Sequence, residues 1–153
     1  MIEGLIRIPL RRFEDERGWF AEIRRESLLP KQTRQTNLSF SRKGVLRGLH
    51  YHERGQDDLF VALRGTARVV VLDRETGETF REDIGDRNPV AIYVPGRHAH
   101  GFEALTELLF CYHVTEEYDP GDPDEHGIPW NDPRVAHLWS TTTPILSSRD
   151  AVS

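Results

Sequence analysis

The sequence predicts an all-β sandwich or barrel. Short runs rich in Val, Ile, Leu and Phe recur at spacings of about 8–12 residues, Gly and Pro mark turns between them, and no stretch sustains a helical period. Leu5 to Leu10 alternates apolar and polar residues until Pro9 demotes its end to an edge or turn. Phe13 to Gly18 reads as a charged turn, Trp19 to Ile23 as a strand, and Ser27 to Lys31 as a short helical turn stopped by Pro30. Gln35 to Ser41 reads as a half-buried strand with one polar face. Gly44 to Gly65 reads as a hairpin whose second strand, Leu59 to Leu63, is buried. Thr66 to Asp73 is rich in β-branched residues, Thr79 to Ile84 can pair back on it, and Val90 to Val94 and Leu108 to Val114 are further strands. From Asp119 to Pro133 the chain turns to Pro, Gly, Asp and Glu, which predicts an irregular acidic loop.

The 153 residues suit a single domain, residues 1–153, with a substantial core. Twenty Lys and Arg stand against 25 Asp and Glu, a net charge of −5 without a basic block, so no nucleic-acid partner is expected. The one cysteine, Cys111, cannot form a disulfide within the chain and reads as a buried apolar residue. No apolar run has membrane-spanning length and no signal-peptide pattern opens the sequence, so no membrane partner and a cytoplasmic location are expected.

The stretch that carries chemistry is Gly44 to Gly65. His50 and His52 are two apart in a strand-like run and so share a face, with Asp57 and Asp58 following across a turn at Gly55. A second run, Tyr93 to Phe102, ends in His98 and His100. Two histidine-bearing strands and an acid are enough to build a site.

Phe13-Glu14-Asp15-Glu16-Arg17-Gly18-Trp19-Phe20, Gln35 with Asn37 and Ser39, and Gly44-Val45-Leu46-Arg47-Gly48-Leu49-His50-Tyr51 resemble the dTDP-4-dehydrorhamnose 3,5-epimerases. So do Ala99-His100-Gly101-Phe102, Tyr112 with Tyr118-Asp119-Pro120, Gly127 to Pro133, and Leu146 to Asp150, in the family's order over nearly the whole chain. The resemblance implies a cupin-type jelly roll with short helical turns. It also implies a homodimer without a cofactor, acting on a nucleotide-linked, dTDP-type 4-keto-6-deoxy sugar and inverting C3, C5 or both. It implies His50 as general base, Asp150 as the acid that orients it, and Tyr112 as the acid on the other sugar face. Arg47, His100 and Tyr118 would line the sugar site. Arg17, Gln35 and Asn37 would contact the nucleotide, Arg17 across a dimer interface. The chemistry suits the residues: a histidine removes a proton α to a ketone near neutral pH, and a phenol returns one to the opposite face.

The chain departs from the family at the electrophile. A lysine is usual a few residues before the turn glycine, and here that position is Asp58, which would then be a substrate contact. His52 stands where glutamine is frequent, and Pro95-Gly96-Arg97 replaces Pro-x-Gly. Together His50, His52, Asp58 and His100 match the ligand pattern of metal-binding cupins, which gives the alternative of a divalent metal as Lewis acid in a metal-dependent isomerase or oxygenase. A non-catalytic sugar-nucleotide binder is a further alternative, opposed by the presence of His50, Tyr112 and Asp150 together. Of the other candidates, His98 reads as surface or pocket rim, His113 as structural or exposed, His126 and His137 as loop residues, and Trp130 and Trp139 as packing for the C-terminal segment.

Overall fold

The computed structural model describes residues 1–152. Its strands are β1 (Ile6–Pro9), β2 (Phe13–Asp15), β3 (Gly18–Phe20), β4 (Gln35–Ser41), β5 (Leu46–Tyr51), β6 (Asp57–Arg64), β7 (Thr66–Leu72), β8 (Thr79–Gly85), β9 (Val90–Pro95), β10 (Ala99–Ala104), β11 (Leu108–Val114) and β12 (His126–Gly127). Two five-stranded sheets, β1-β9-β6-β11-β4 and β12-β5-β10-β7-β8, form the cupin-like β-sandwich, and β2 and β3 make a separate hairpin. Every pairing between these strands is antiparallel. Among the described residues no helix is long and apolar enough to cross a membrane.

Alternation along the strands builds three apolar layers. Phe60, Ala62, Ile92 and Phe110 of the first sheet meet Ala67, Val69, Val71 and Phe102 of the second in the central core. Leu59, Val61, Tyr93 and Cys111 point to the other face of the first sheet, beside Ile6 and Ile8 of β1, and Ile23 and Leu29 pack against them. Leu49, Val70 and Leu72 point outward from the second sheet and are covered by Val135, Trp139 and Trp130 of the C-terminal segment. Strands buried on both faces lose the polar half of the alternation, which is why β6, β7 and β11 read as continuous apolar runs. Cys111 is buried and free, and both tryptophans pack as expected.

Several elements differ from the sequence reading. Phe13 to Gly18 contains strand β2 and the turn into β3, and β3 stops at Phe20 well short of Ile23. The helical turn is a 3-10 turn at Glu26–Leu28, and a second lies at Ala136–Leu138. The run ending in histidines divides into β9 and β10, and the acidic loop contributes β12. The largest difference is that β5 and β6 do not pair as a hairpin. β5 lies beside β10 and β12 in one sheet, and β6 between β9 and β11 in the other. The charged, glycine-broken segment between them crosses from sheet to sheet, so His50 and Asp58 belong to opposite sheets.

Two glycines set that crossing. Gly48, at φ 142°, brings β5 against β10 so closely that a Cβ there would sit 2.8 Å from Gly101 Cα. At Gly96 a Cβ would lie 1.7 Å from Gln56 O, and Gly96 O accepts the His52 N–H at 2.7 Å. The turn holding Gly96 is fixed by buried Asp57, which accepts the Gly96 N–H at 2.9 Å and the Tyr93 hydroxyl at 2.6 Å. Burial, then the Asp57 carboxylate, push the Tyr93 phenol up, so it stays a neutral donor. Tyr93→Phe strips one hydrogen bond from a buried carboxylate and is expected to lower stability by about 1–3 kcal/mol in urea denaturation. A change below ~0.5 kcal/mol, the range of surface substitutions, would show that Asp57 does not depend on it.

Candidate active site

The open end of the sandwich holds a cleft of about 1090 Å³ between the two sheets. β5 supplies Arg47 and His50, the loop after it His52, β6 Asp58 and Phe60, β10 His100, β11 Tyr112, and β4 Gln35 and Asn37. The C-terminal segment adds Arg149 and Asp150.

His50 anchors one wall. Its Nε2 lies 2.7 Å from Oδ1 of Asp150, a residue 100 positions away, and the other carboxylate oxygen of Asp150 accepts the Gly48 N–H at 3.2 Å. Burial works against the charged form of Asp150, but His50 and the Gly48 N–H outweigh it and hold the carboxyl below its usual range. A carboxylate on Nε2 keeps the proton there and leaves the Nδ1 lone pair of the neutral imidazole available. Nδ1 stands 3.9 Å from Glu125, and Arg149 pairs with Glu125 at 2.9 Å, its guanidinium 3.3 Å from His50 Nε2 as a neighbouring charge with no acceptor there to bond.

Tyr112 is opposite Asn37 on β4 and Phe60 on β6 in the β11 ladder, with the Phe60 ring edge-on at 6.4 Å. Burial, then the Asp58 charge, raise its phenol above the ordinary value. Its neighbours Cys111 and His113 point to the other face. His113 contacts Thr36 Oγ1 at 2.8 Å and is buried, which makes it structural.

His52, Asp58 and His100 form a buried cluster whose ligand atoms all lie within 4.8 Å of one another. Asp58 comes from one sheet and His100 from the other. His50 stands apart from this group on Asp150, so three of the four residues in the metal pattern converge. Burial depresses the pKa of His52, with His100 adding to the effect, whereas Asp58 overcomes burial and raises His100. Asp58 is itself held below its usual range by the two imidazoles despite its burial.

The remaining expected contacts divide. Gln35 donates to Asn37 Oδ1 at 2.9 Å and accepts the Tyr118 N–H at 2.9 Å, and Arg47 is held by Ser41 Oγ at 3.0 Å, so all four line the cleft ready-positioned. Arg17 is 85% exposed on the β2–β3 hairpin, paired with Asp15, and does not line the cleft of its own chain. His98 is buried rather than at a rim, with Nε2 on the Glu3 carbonyl at 2.9 Å. His126 stacks on Tyr51 at 5.2 Å. The sequence reading gave no role to Glu125, Gln56 or Arg149. Arg149 precedes Asp150 in the Leu146 to Asp150 motif, whereas nothing local marks the other two.

A family model described as dTDP-4-dehydrorhamnose 3,5-epimerase matches residues 1–153. The chain is 38% identical to the spore coat polysaccharide biosynthesis protein SpsL of Bacillus subtilis over 149 residues, covering 92% of this chain and 98% of that protein. It is 37% identical to the dTDP-4-dehydrorhamnose 3,5-epimerase of Methanothermobacter thermautotrophicus over 150 residues, covering 90% and 80% of the two chains. Among solved structures it superposes with a TM-score of 0.87 on the Legionella pneumophila epimerase RmlC in complex with dTDP-4-keto-L-rhamnose, at 32% identity and covering 99% and 87% of the chains.

Proposed function

Because the chain belongs to the dTDP-4-dehydrorhamnose 3,5-epimerase family and is an isomerase of a dTDP-linked 4-keto-deoxysugar, we propose that His50 and Tyr112 carry the inversion between them. The observation that carries this reading is the 2.7 Å contact of His50 with Asp150 in the cleft that Tyr112 also lines. His50 Nδ1 takes the proton α to the C4 ketone, Asp150 holds the imidazole in the tautomer that can accept it, and Glu125 at 3.9 Å steadies the imidazolium that results. The raised phenol of Tyr112 keeps its proton until the carbanion needs it on the other face. Proton removal and return balance, so the step calls for no organic or redox cofactor.

Arg47, His100 and Tyr118 line the sugar site with Asp58 as a substrate contact, and Gln35 and Asn37 contact the nucleotide. Gln35 bridges Asn37 to the Tyr118 backbone, so the last two contacts are positioned together. The chain acts as a homodimer in which Arg17 enters the cleft of the other copy. The exposed Phe13, Trp19 and Phe20 of the hairpin, and Leu38 and Phe40 on the outward side of β4, support that arrangement. Residues 1–153 act as one domain, in the cytoplasm.

Proton NMR in D2O with dTDP-4-keto-6-deoxyglucose tests the reading. Deuterium is expected at C3, C5 or both in step with appearance of the epimer, and the labelled carbon identifies the centre inverted. A substrate that stays protonated at both carbons would refute it.

A further inference from the structure

The charge that develops on the ketone oxygen needs a positive partner, and the position where the family carries lysine holds Asp58. The surroundings of Asp58 are unusual for a carboxylate. The titratable groups within 4 Å of it are two imidazoles, His100 Nε2 at 3.4 Å and His52 Nε2 at 3.9 Å. Both rings are tied at the opposite nitrogen, His52 Nδ1 to the Asp124 carbonyl at 2.7 Å and His100 Nδ1 to the His98 carbonyl at 2.8 Å. Carbonyls only accept, so each Nδ1 carries the proton and each neutral ring turns a lone pair on Nε2 towards Asp58. Two lone pairs and a carboxylate converging in a buried site repel one another unless a proton, a donor or a metal ion stands between them.

A proton on His100 answers one side of this arrangement, and the Gln56 amide between His52 Nε2 and Asp58 Oδ1 answers the other, through a contact of 3.3 Å to the ring that is long for a hydrogen bond. A metal ion answers all three. The separations of 3.4 and 3.9 Å are long for direct hydrogen bonds, and a tetrahedral site with bonds of ~2.1 Å has edges of about 3.4 Å. Carbonyls fixing the far nitrogen of ligating histidines are the outer support that metal sites use. The ligands are also rigid, because Asp58 and His100 lie within strands of opposing sheets. Gln56 closes the group, with its amide nitrogen 3.0 Å from Asp58 Oδ1 and 3.3 Å from His52 Nε2.

We propose that His52, Asp58 and His100 bind one divalent transition-metal ion whose open position faces the cleft and holds the ketone oxygen of the sugar. Two imidazoles and one carboxylate suit zinc, iron, manganese or nickel, and cobalt is the spectroscopic substitute. The catalytic half of this inference rests on the epimerase reading, and the binding half does not.

Protein purified without chelator, then stripped and titrated with Co²⁺, is the test, with Asp58→Asn and His52→Gln as variants and their circular dichroism as the folding check. The expected result is visible cobalt absorption saturating at one equivalent in the wild type, with apparent affinity reduced at least about 100-fold in either folded variant. Deuterium exchange into the substrate should fall on stripping and return with metal. Absence of cobalt bands in the wild type, or unchanged bands in the variants, would overturn the site. Metal binding with exchange that ignores stripping would overturn its role at the ketone. Bands at one equivalent with no exchange in either state would leave the site standing and remove the epimerase reading instead.

Discussion

Replacing His50 with asparagine is expected to reduce both deuterium exchange and epimer formation about 10²–10⁴-fold, the range that a positioned general base contributes. The asparagine amide can still donate to Asp150, which keeps its Gly48 N–H and accepts no new buried charge, so the unfolding midpoint should move little. The substrate should still bind within a few-fold of the wild-type affinity in calorimetry, because Gln35, Asn37, Arg47 and Tyr118 are untouched. A loss below tenfold in exchange would assign proton abstraction to another group. Loss of affinity in proportion to rate would make His50 a binding residue.

Tyr112→Phe should separate the two half-reactions. The base is intact, so deuterium should continue to enter the substrate from the His50 side, slowed less than about tenfold. Epimer formation, which needs a proton on the other face, should fall about 10²–10⁴-fold. The phenol is raised by burial and by the Asp58 charge, so wild-type epimerisation should show no alkaline decline at or below pH ~10, the ordinary tyrosine value. An alkaline limb below that pH which vanishes in the phenylalanine variant would mean that Tyr112 ionises earlier than its surroundings dictate. Equal loss of exchange and epimerisation would mean that it acts before the carbanion forms.

Much of the fold was legible because it rests on local chemistry. Thr66 to Asp73 and Thr79 to Ile84 were readable as a pair, since β-branched alternation and a Thr-Gly turn act over neighbouring residues. The β2–β3 hairpin was missed because Phe13, Trp19 and Phe20 lie on an exposed ribbon without a buried face to imprint alternation. The acidic loop concealed β12, whose two residues pair with His50 and Tyr51, because a run of two residues is too short to show any alternation. Most of the candidate site was named from motifs, but Glu125 and Gln56 sit in stretches whose composition is that of any solvated loop.

The sequence by itself determined the β architecture, the apolar layers and the residue types in the cleft, because these follow from periodicity and from side-chain chemistry. Only the tertiary structure decided that β5 and β6 belong to opposite sheets, that Asp150 reaches His50 across 100 positions, and that His52 and His100 join Asp58 while His50 does not. Two residues apart on a strand fixes a common face but not a common partner. Which partner each histidine meets depends on the close approach of β5 to β10 at Gly48 and Gly101, and on the turn at Gly96 that seats the loop after β5. Those contacts join segments far apart in the chain, and they exist only once the sheets have packed.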